Sequence, residues 1–122
     1  MRTLDGVRDK RFSSLTPRSK AALVRLMCEP ARCLMPHEVA IAADLSYEEA
    51  FELFIGLGIV GAVSLYILVY HMCSEAPVDK IPITQGIPRF GYCCPNCGLE
   101  VENTDVLELD LEATVLTPIA WR

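Results

Sequence analysis

Cys93-Cys94-Pro95-Asn96-Cys97-Gly98 is the stretch on which the reading of this chain turns. Cys94 and Cys97 are separated by two residues, so a tight backbone turn brings both sulfurs to one side. Pro95 presets that turn. Gly98 takes the open conformation that follows, and backbone N–H groups then point at sulfur. Two thiolates so placed face one cation. Tetrahedral zinc takes four such donors, and a structural site is closed, with no position left for substrate.

The second pair must come from elsewhere. Upstream, His71 and Cys73 lie in Tyr70-His71-Met72-Cys73-Ser74-Glu75. If residues 69–73 form a strand, His71 and Cys73 share a face, because side chains repeat every second residue. The expected metal ligands are therefore His71, Cys73, Cys94 and Cys97, with Cys93 as a substitute. The alternative is two turn cysteines, a half-buried strand histidine and a small apolar cysteine. A redox dithiol is disfavoured, because that motif leads into a helix and Gly98 leads into strand-like sequence.

With 122 residues the chain makes one domain or two very small ones, and 52% apolar residues argue against disorder. Six cysteines fit either a disulfide framework or metal ligation. The stretch from Met1 to Pro17 is polar and basic, unlike a signal peptide, so the expected setting is cytoplasmic and reducing. The net charge of −5 conceals an asymmetry. Residues 1–34 carry eight basic and three acidic groups, net +5, and residues 35–122 carry net −10. A basic arm on an acidic body is the pattern. Such an arm serves nucleic acid, an acidic partner or anionic lipid, or is simply solvated.

Residues 1–15 show no sustained period and predict a flexible arm. Thr16-Pro17 reads as an N-cap with proline at the first helical position. The following helix places Ala22, Leu23, Leu26 and Met27 on one face. Pro30 stops it, and Cys28 and Cys33 read as core filling. A short helix runs from Pro36 to Ala43, with Val39, Ala40 and Ala43 inward. Ser46 and Glu49 form a capping box. The next helix, Tyr47 to about Leu57, is expected to bury Tyr47, Ala50, Phe51, Phe54 and Gly58, and Gly56 and Gly58 weaken and end it. Residues 59–69 are β-rich. Residues 75–92 read as a loop, with Phe90 and Tyr92 as strand residues leading into the cysteines. Leu99-Glu100-Val101-Glu102 alternates, Asn103-Thr104-Asp105 turns, and Leu107, Leu109, Leu111, Ala113 and Val115 alternate with acidic positions. These two runs predict a hairpin whose acidic face is a solvated edge or docks a basic partner.

Helix, short helix, turn, helix and strand over roughly 16–70 resembles the winged helix-turn-helix fold. The residues that carry it are Pro36-His37-Glu38-Val39-Ala40, Leu45-Ser46-Tyr47-Glu48-Glu49-Ala50 and Leu57-Gly58-Ile59-Val60. The cysteine knuckle resembles zinc ribbons over roughly 71–115. The expected class is α+β, with a flexible basic arm over 1–15, a winged-helix-like three-helix domain over 16–70, and a zinc-ribbon-like β-hairpin domain with an acidic C-terminal strand over 71–122. The first resemblance implies a DNA-reading helix at Ser46 to Leu57. That helix carries Glu48, Glu49 and Glu52 and no Lys or Arg, which repels phosphate. With Leu53 and Ile55 off its inward face, it suits a protein partner better.

No catalytic constellation stands out, so an enzyme is not expected. The leading expectation is an interaction adaptor, an accessory subunit of an intracellular complex, using Glu48, Glu49, Glu52, Leu53 and Ile55 and holding a structural zinc. One alternative is a DNA-binding regulator using Arg2, Arg8, Lys10, Arg11, Arg18 and Lys20. Another is a single-pass membrane protein, because residues 53–74 contain no charged residue. Three glycines within Gly56 to Gly61 and the Ile, Val and Tyr that follow favour a buried strand over that span. The apolar and acidic surfaces also permit self-association.

Overall fold

The computed structural model describes residues 1–88, 91–101 and 107–122. Phe90, Glu102 and the expected turn at Asn103-Thr104-Asp105 lie outside them. The chain is α+β and divides into two compact units, Met1–Leu65 with Ala113–Arg122, and Tyr66–Glu112. These bounds differ from the three consecutive segments expected. The last ten residues belong with the N-terminal unit, and the stretch carrying the candidate metal ligands lies between two parts of it in sequence.

In the first unit, β1 (Arg2–Leu4) pairs in parallel with β8 (Ile119–Trp121). Three helices follow β1: α1 (Pro17–Leu26), α2 (Pro36–Ala43) and α3 (Tyr47–Ile59). The first starts where its caps dictate, with Thr16 Oγ1 accepting the Ser19 N–H. Ser19 is buried and satisfied, its hydroxyl donating to the Ala43 carbonyl at 2.6 Å, which ties α1 to the end of α2. Asp44 closes α2 in the left-handed conformation. Ser46 and Glu49 complete the capping box of α3, each side chain accepting the other's backbone N–H at 3.1 Å. Ser46→Ala is expected to lower stability by about 1 kcal/mol, read from urea unfolding. Between α1 and α2 lies β2 (Cys33–Leu34), which pairs antiparallel with the end of β7 (Glu108–Val115) through Cys33↔Thr114 and Leu34↔Ala113.

Three expectations change here. Residues 1–15 are not a loose arm: Leu4, Phe12 and Leu15 are buried, Phe12 completely. Irregularly spaced apolar residues anchor a loop without leaving any period to read. The buried face of α3 is Ala50, Leu53, Phe54, Gly56 and Leu57, while Tyr47 and Phe51 face outward. This helix is apolar almost all round, so periodicity leaves its inward side open and packing decides it. Gly56 is part of that packing: a Cβ there would come within 3.2 Å of the Phe12 ring, so a side chain would require the ring to give by a few tenths of an ångström. Cys28 and Cys33 are exposed, not core. Among the described residues no helix is long and apolar enough to cross a membrane. Residues 53–74 comprise the second half of α3 and the strand β3 (Val63–Tyr70), together with the residues flanking that strand.

In the second unit, β3 pairs antiparallel with β4 (Asp79–Pro82), inside the stretch expected to be loop, with register Tyr66↔Pro82 to Val69↔Asp79. A 3-10 turn follows at Ile83–Gln85. The order of the four-stranded sheet is β2-β7-β3-β4. The acidic strand β7 is therefore an interior strand and not the edge expected, and its Glu112 accepts Lys80 at 2.6 Å. Leu107, Leu111, Ala113 and Val115 on the apolar face are buried, while Leu109 is exposed. A small cluster of Ile67, Val69, Val101 and Leu107, with Val78, Ile81 and Tyr92 against it, is the core of this unit.

Candidate metal centre

The knuckle is closed by its own backbone. β5 (Tyr92–Cys93) and β6 (Glu100–Val101) pair antiparallel, with the knuckle as the turn between them. The run at Leu99–Val101 is thus paired back across the knuckle. Cys94 N–H donates to the Leu99 carbonyl and Gly98 N–H to the Cys94 carbonyl, both at 2.9 Å. Gly98 holds φ near +78°, a conformation that costs side-chain-bearing residues about 1–2 kcal/mol.

The other half-site is not the strand expected. β3 ends at Tyr70, and His71 to Ser74 form a turn closed by the Ser74 N–H on the His71 carbonyl at 3.1 Å. A turn still brings His71 and Cys73 together, with Nδ1 3.2 Å from Sγ.

His71, Cys73, Cys94 and Cys97 each present one donor atom, and the four atoms lie within 4.8 Å of one another. Cys73 Sγ is 3.6 Å from Cys94 Sγ, and Cys97 Sγ is 3.6 Å from His71 Nδ1. Bond lengths of about 2.3 Å to sulfur and about 2.05 Å to nitrogen put tetrahedral edges at about 3.8 Å between sulfurs and about 3.6 Å between sulfur and nitrogen. The two 3.6 Å separations are close to those edges and the 3.2 Å between His71 Nδ1 and Cys73 Sγ is shorter; the four residues could hold a metal ion. His71 and Cys94 are buried, whereas Cys73 and Cys97 are exposed. Asn96, inside the knuckle, donates its side-chain N–H to Cys73 Sγ at 3.3 Å, a second-sphere bond that nothing in the spacing announces. Cys93 is not among the four: its thiol donates to the Gly98 carbonyl at 3.4 Å.

Electrostatics separates the two knuckle thiols. The Cys97 backbone N–H aimed at its sulfur, helped by that of Asn96 and by the Cys73 and Cys97 thiols, outweighs burial and pulls Cys94 down to about 6. At Cys97 the Leu99 N–H acts in the same direction, but burial and the Cys94 and Cys73 sulfurs together outweigh it and hold that thiol above its ordinary value. A thiol with a depressed native pKa stabilises the metal-free fold fully above its unfolded pKa, and that contribution is lost as pH falls through about 6.

Around the centre, the Tyr92 hydroxyl donates to Asp79 at 2.7 Å, and burial with that carboxylate raises its pKa. A surface cavity of about 430 Å³ is lined by Tyr70, His71, Met72, Ser74, Glu75 and Glu108. The residues expected elsewhere fall as follows. Glu48, Glu49 and Glu52 are exposed on α3, Ile55 is half-buried, and Leu53 is buried and therefore withdrawn from any partner surface. Of the basic residues, Arg2, Arg8, Lys10 and Arg18 are exposed; Arg11 is clamped on Asp9 at 2.7 Å, and Lys20 Nζ sits over the Trp121 ring.

Comparison of the chain with protein-family models, curated proteins and solved structures gives no match.

Proposed function

We propose that this protein is a non-catalytic interaction adaptor, an accessory subunit of a larger intracellular protein complex, whose second unit is held together by structural zinc. The observation that carries this reading is the donor set itself. Four protein donor atoms gathered within 4.8 Å of one another would complete the shell of a tetrahedral zinc ion and leave no position for a reacting water or substrate. When bound, the ion would supply folding free energy and not chemistry. Zinc is favoured over other divalent ions because three thiolates and an imidazole are its usual donors in a closed site.

The architecture is read as a winged-helix-like unit of α1, α2 and α3 with the start of β3 and the end of β7. The ribbon-like metal module occupies the connection between β3 and β7 instead of following them. The order of elements and the pairing of β2 with β7 support this. The acidic α3 turns the unit away from nucleic acid and towards protein.

The test has two arms. Elemental analysis of protein purified without chelator is expected to give one zinc per chain. A protein is expected to co-purify stoichiometrically and to be lost on Glu48→Arg. A metal-free folded chain defeats the zinc assignment, and a chain that always purifies alone defeats the adaptor. The DNA-binding alternative relies on the exposed Arg8, Lys10 and Arg18. It demands duplex binding at low salt that falls steeply with added salt and weakens in Arg8→Gln/Lys10→Gln/Arg18→Gln. We expect no such binding. Deletion of residues 1–12 is unsuitable for this purpose, since it removes the buried Phe12.

A further inference from the structure

Opposite its buried face, α3 carries a second apolar row. Tyr47, Phe51, Ile55 and Ile59 recur at every fourth residue and so form one ridge over about three turns, about 18 Å long. Tyr47 is 48% exposed, Phe51 40% and Ile59 66%. The Tyr47 and Phe51 rings lie 6.5 Å apart at a tilt of 32°. Glu48 and Glu52, one turn apart and both exposed, run along the side of this ridge farther from the buried face, as 100° per residue requires. Glu49 is occupied in the helix cap. A surface helix ordinarily sets polar residues opposite its buried stripe. Here the outward side is an aromatic and aliphatic ridge with a carboxylate border, the composition of a contact surface.

We infer that this ridge docks an amphipathic helix of another protein, one with apolar residues at i, i+4 spacing and Lys or Arg along the flank that meets Glu48 and Glu52; the inference rests on the adaptor reading and names its partner's chemistry. Ridges of i±4 rows interdigitate with like rows of a second helix, so a helical partner fits the spacing. Charge selects which helix. The ridge has no basic residue beside it on α3, so a basic flank on the partner complements its carboxylates. A second copy is a poor occupant. In an antiparallel pair of α3 helices both carboxylate rows fall on the same side and repel, and each chain carries net charge −5.

The experiment uses the full chain as purified and a fluorescent synthetic helical peptide with a Leu row at i, i+4 and Lys along one flank. A second peptide keeps the Leu row and replaces Lys by Glu. Anisotropy is expected to show the Lys peptide binding at least about tenfold tighter than the Glu peptide, and Phe51→Ser/Ile55→Ser losing at least about tenfold. Circular dichroism should show the fold retained in that variant. Glu48→Lys/Glu52→Lys is expected to reverse the preference between the peptides, and it decides the matter alone if the double serine variant fails to fold. Equal binding of the two peptides, or binding indifferent to Phe51 and Ile55, overturns the inference. So does a dimer in sedimentation that the serine substitutions dissociate, since the ridge would then be a self-interface. A co-purifying partner that is kept by the Phe51→Ser/Ile55→Ser variant as by the wild type removes this surface and leaves the adaptor standing. Absence of any partner from the wild type removes the adaptor itself.

Discussion

Cys94→Ser with Cys97→Ser is expected to yield a chain without zinc in which the second unit is unfolded and the first remains folded. The reason is the size of the second core. Among the described residues, the cluster within Tyr66–Glu112 has four buried apolar residues with three partly buried ones against it, and Leu68 and Leu111 are buried besides. A unit of fewer than about 50 residues rarely folds on a core so small without a metal or a crosslink. In zinc-finger peptides a structural zinc contributes roughly 10–16 kcal/mol at pH 7, far above the few kcal/mol that such a core supplies. Limited proteolysis should cut between residues 71 and 101 in the variant and in chelator-treated wild type, and leave α1 to α3 intact. Equal protease resistance in zinc-loaded, chelated and variant proteins would show that the cluster does not hold the unit together.

Phe12→Ala is the second large effect, expected to cost about 3–5 kcal/mol of the first unit's stability. Phe12 is completely buried, packs edge-on against Trp121 with ring centroids 5.6 Å apart, and lies against Gly56 of α3. Removing the ring leaves a cavity between three segments that α3 and the β1–β8 pair cannot close without moving. Trp121 is itself fixed, its Nε1–H donating to the Lys20 carbonyl at 3.0 Å, so it is not free to collapse into the space. Urea unfolding followed by Trp121 fluorescence measures the change, with the exposed Ser13→Ala as a control expected within about 0.5 kcal/mol of wild type. A loss below about 1 kcal/mol would mean that residues 1–15 contribute little to the core.

Much of the helical part is legible in the sequence alone. Thr16-Pro17, Pro36 and the Ser46/Glu49 pair act within one turn of backbone, so residue identity decides where those helices begin. The knuckle is equally local, since Cys94, Pro95, Cys97 and Gly98 shape one turn among themselves. Pairing it with His71 and Cys73 follows from the need for two more donors, although the strand invoked for that pair is a turn. Which side of α3 is buried cannot be read in this way. Leu53 and Phe51 are both apolar, and only packing distinguishes them, Leu53 buried and Phe51 exposed. Asn96 behind Cys73 gives no signal either, because a side-chain amide in a turn is ordinary in composition.

By itself the sequence determined the helix starts, the two-thiol turn, the metal-ligand types and the acidic character of α3. All of these depend on residues a few positions apart. Only the tertiary structure decided that residues 113–122 return to the N-terminal unit, that residues 1–15 are tied down by Phe12 and the β1–β8 pairing, that β7 lies inside a sheet, and that Tyr47, Phe51 and Ile59 are exposed with Ile55 half-buried between them. Those outcomes are set by contacts among groups up to more than a hundred residues apart. Burial is non-directional and proportional to area, so local order in the chain carries no record of which distant apolar surface it will meet.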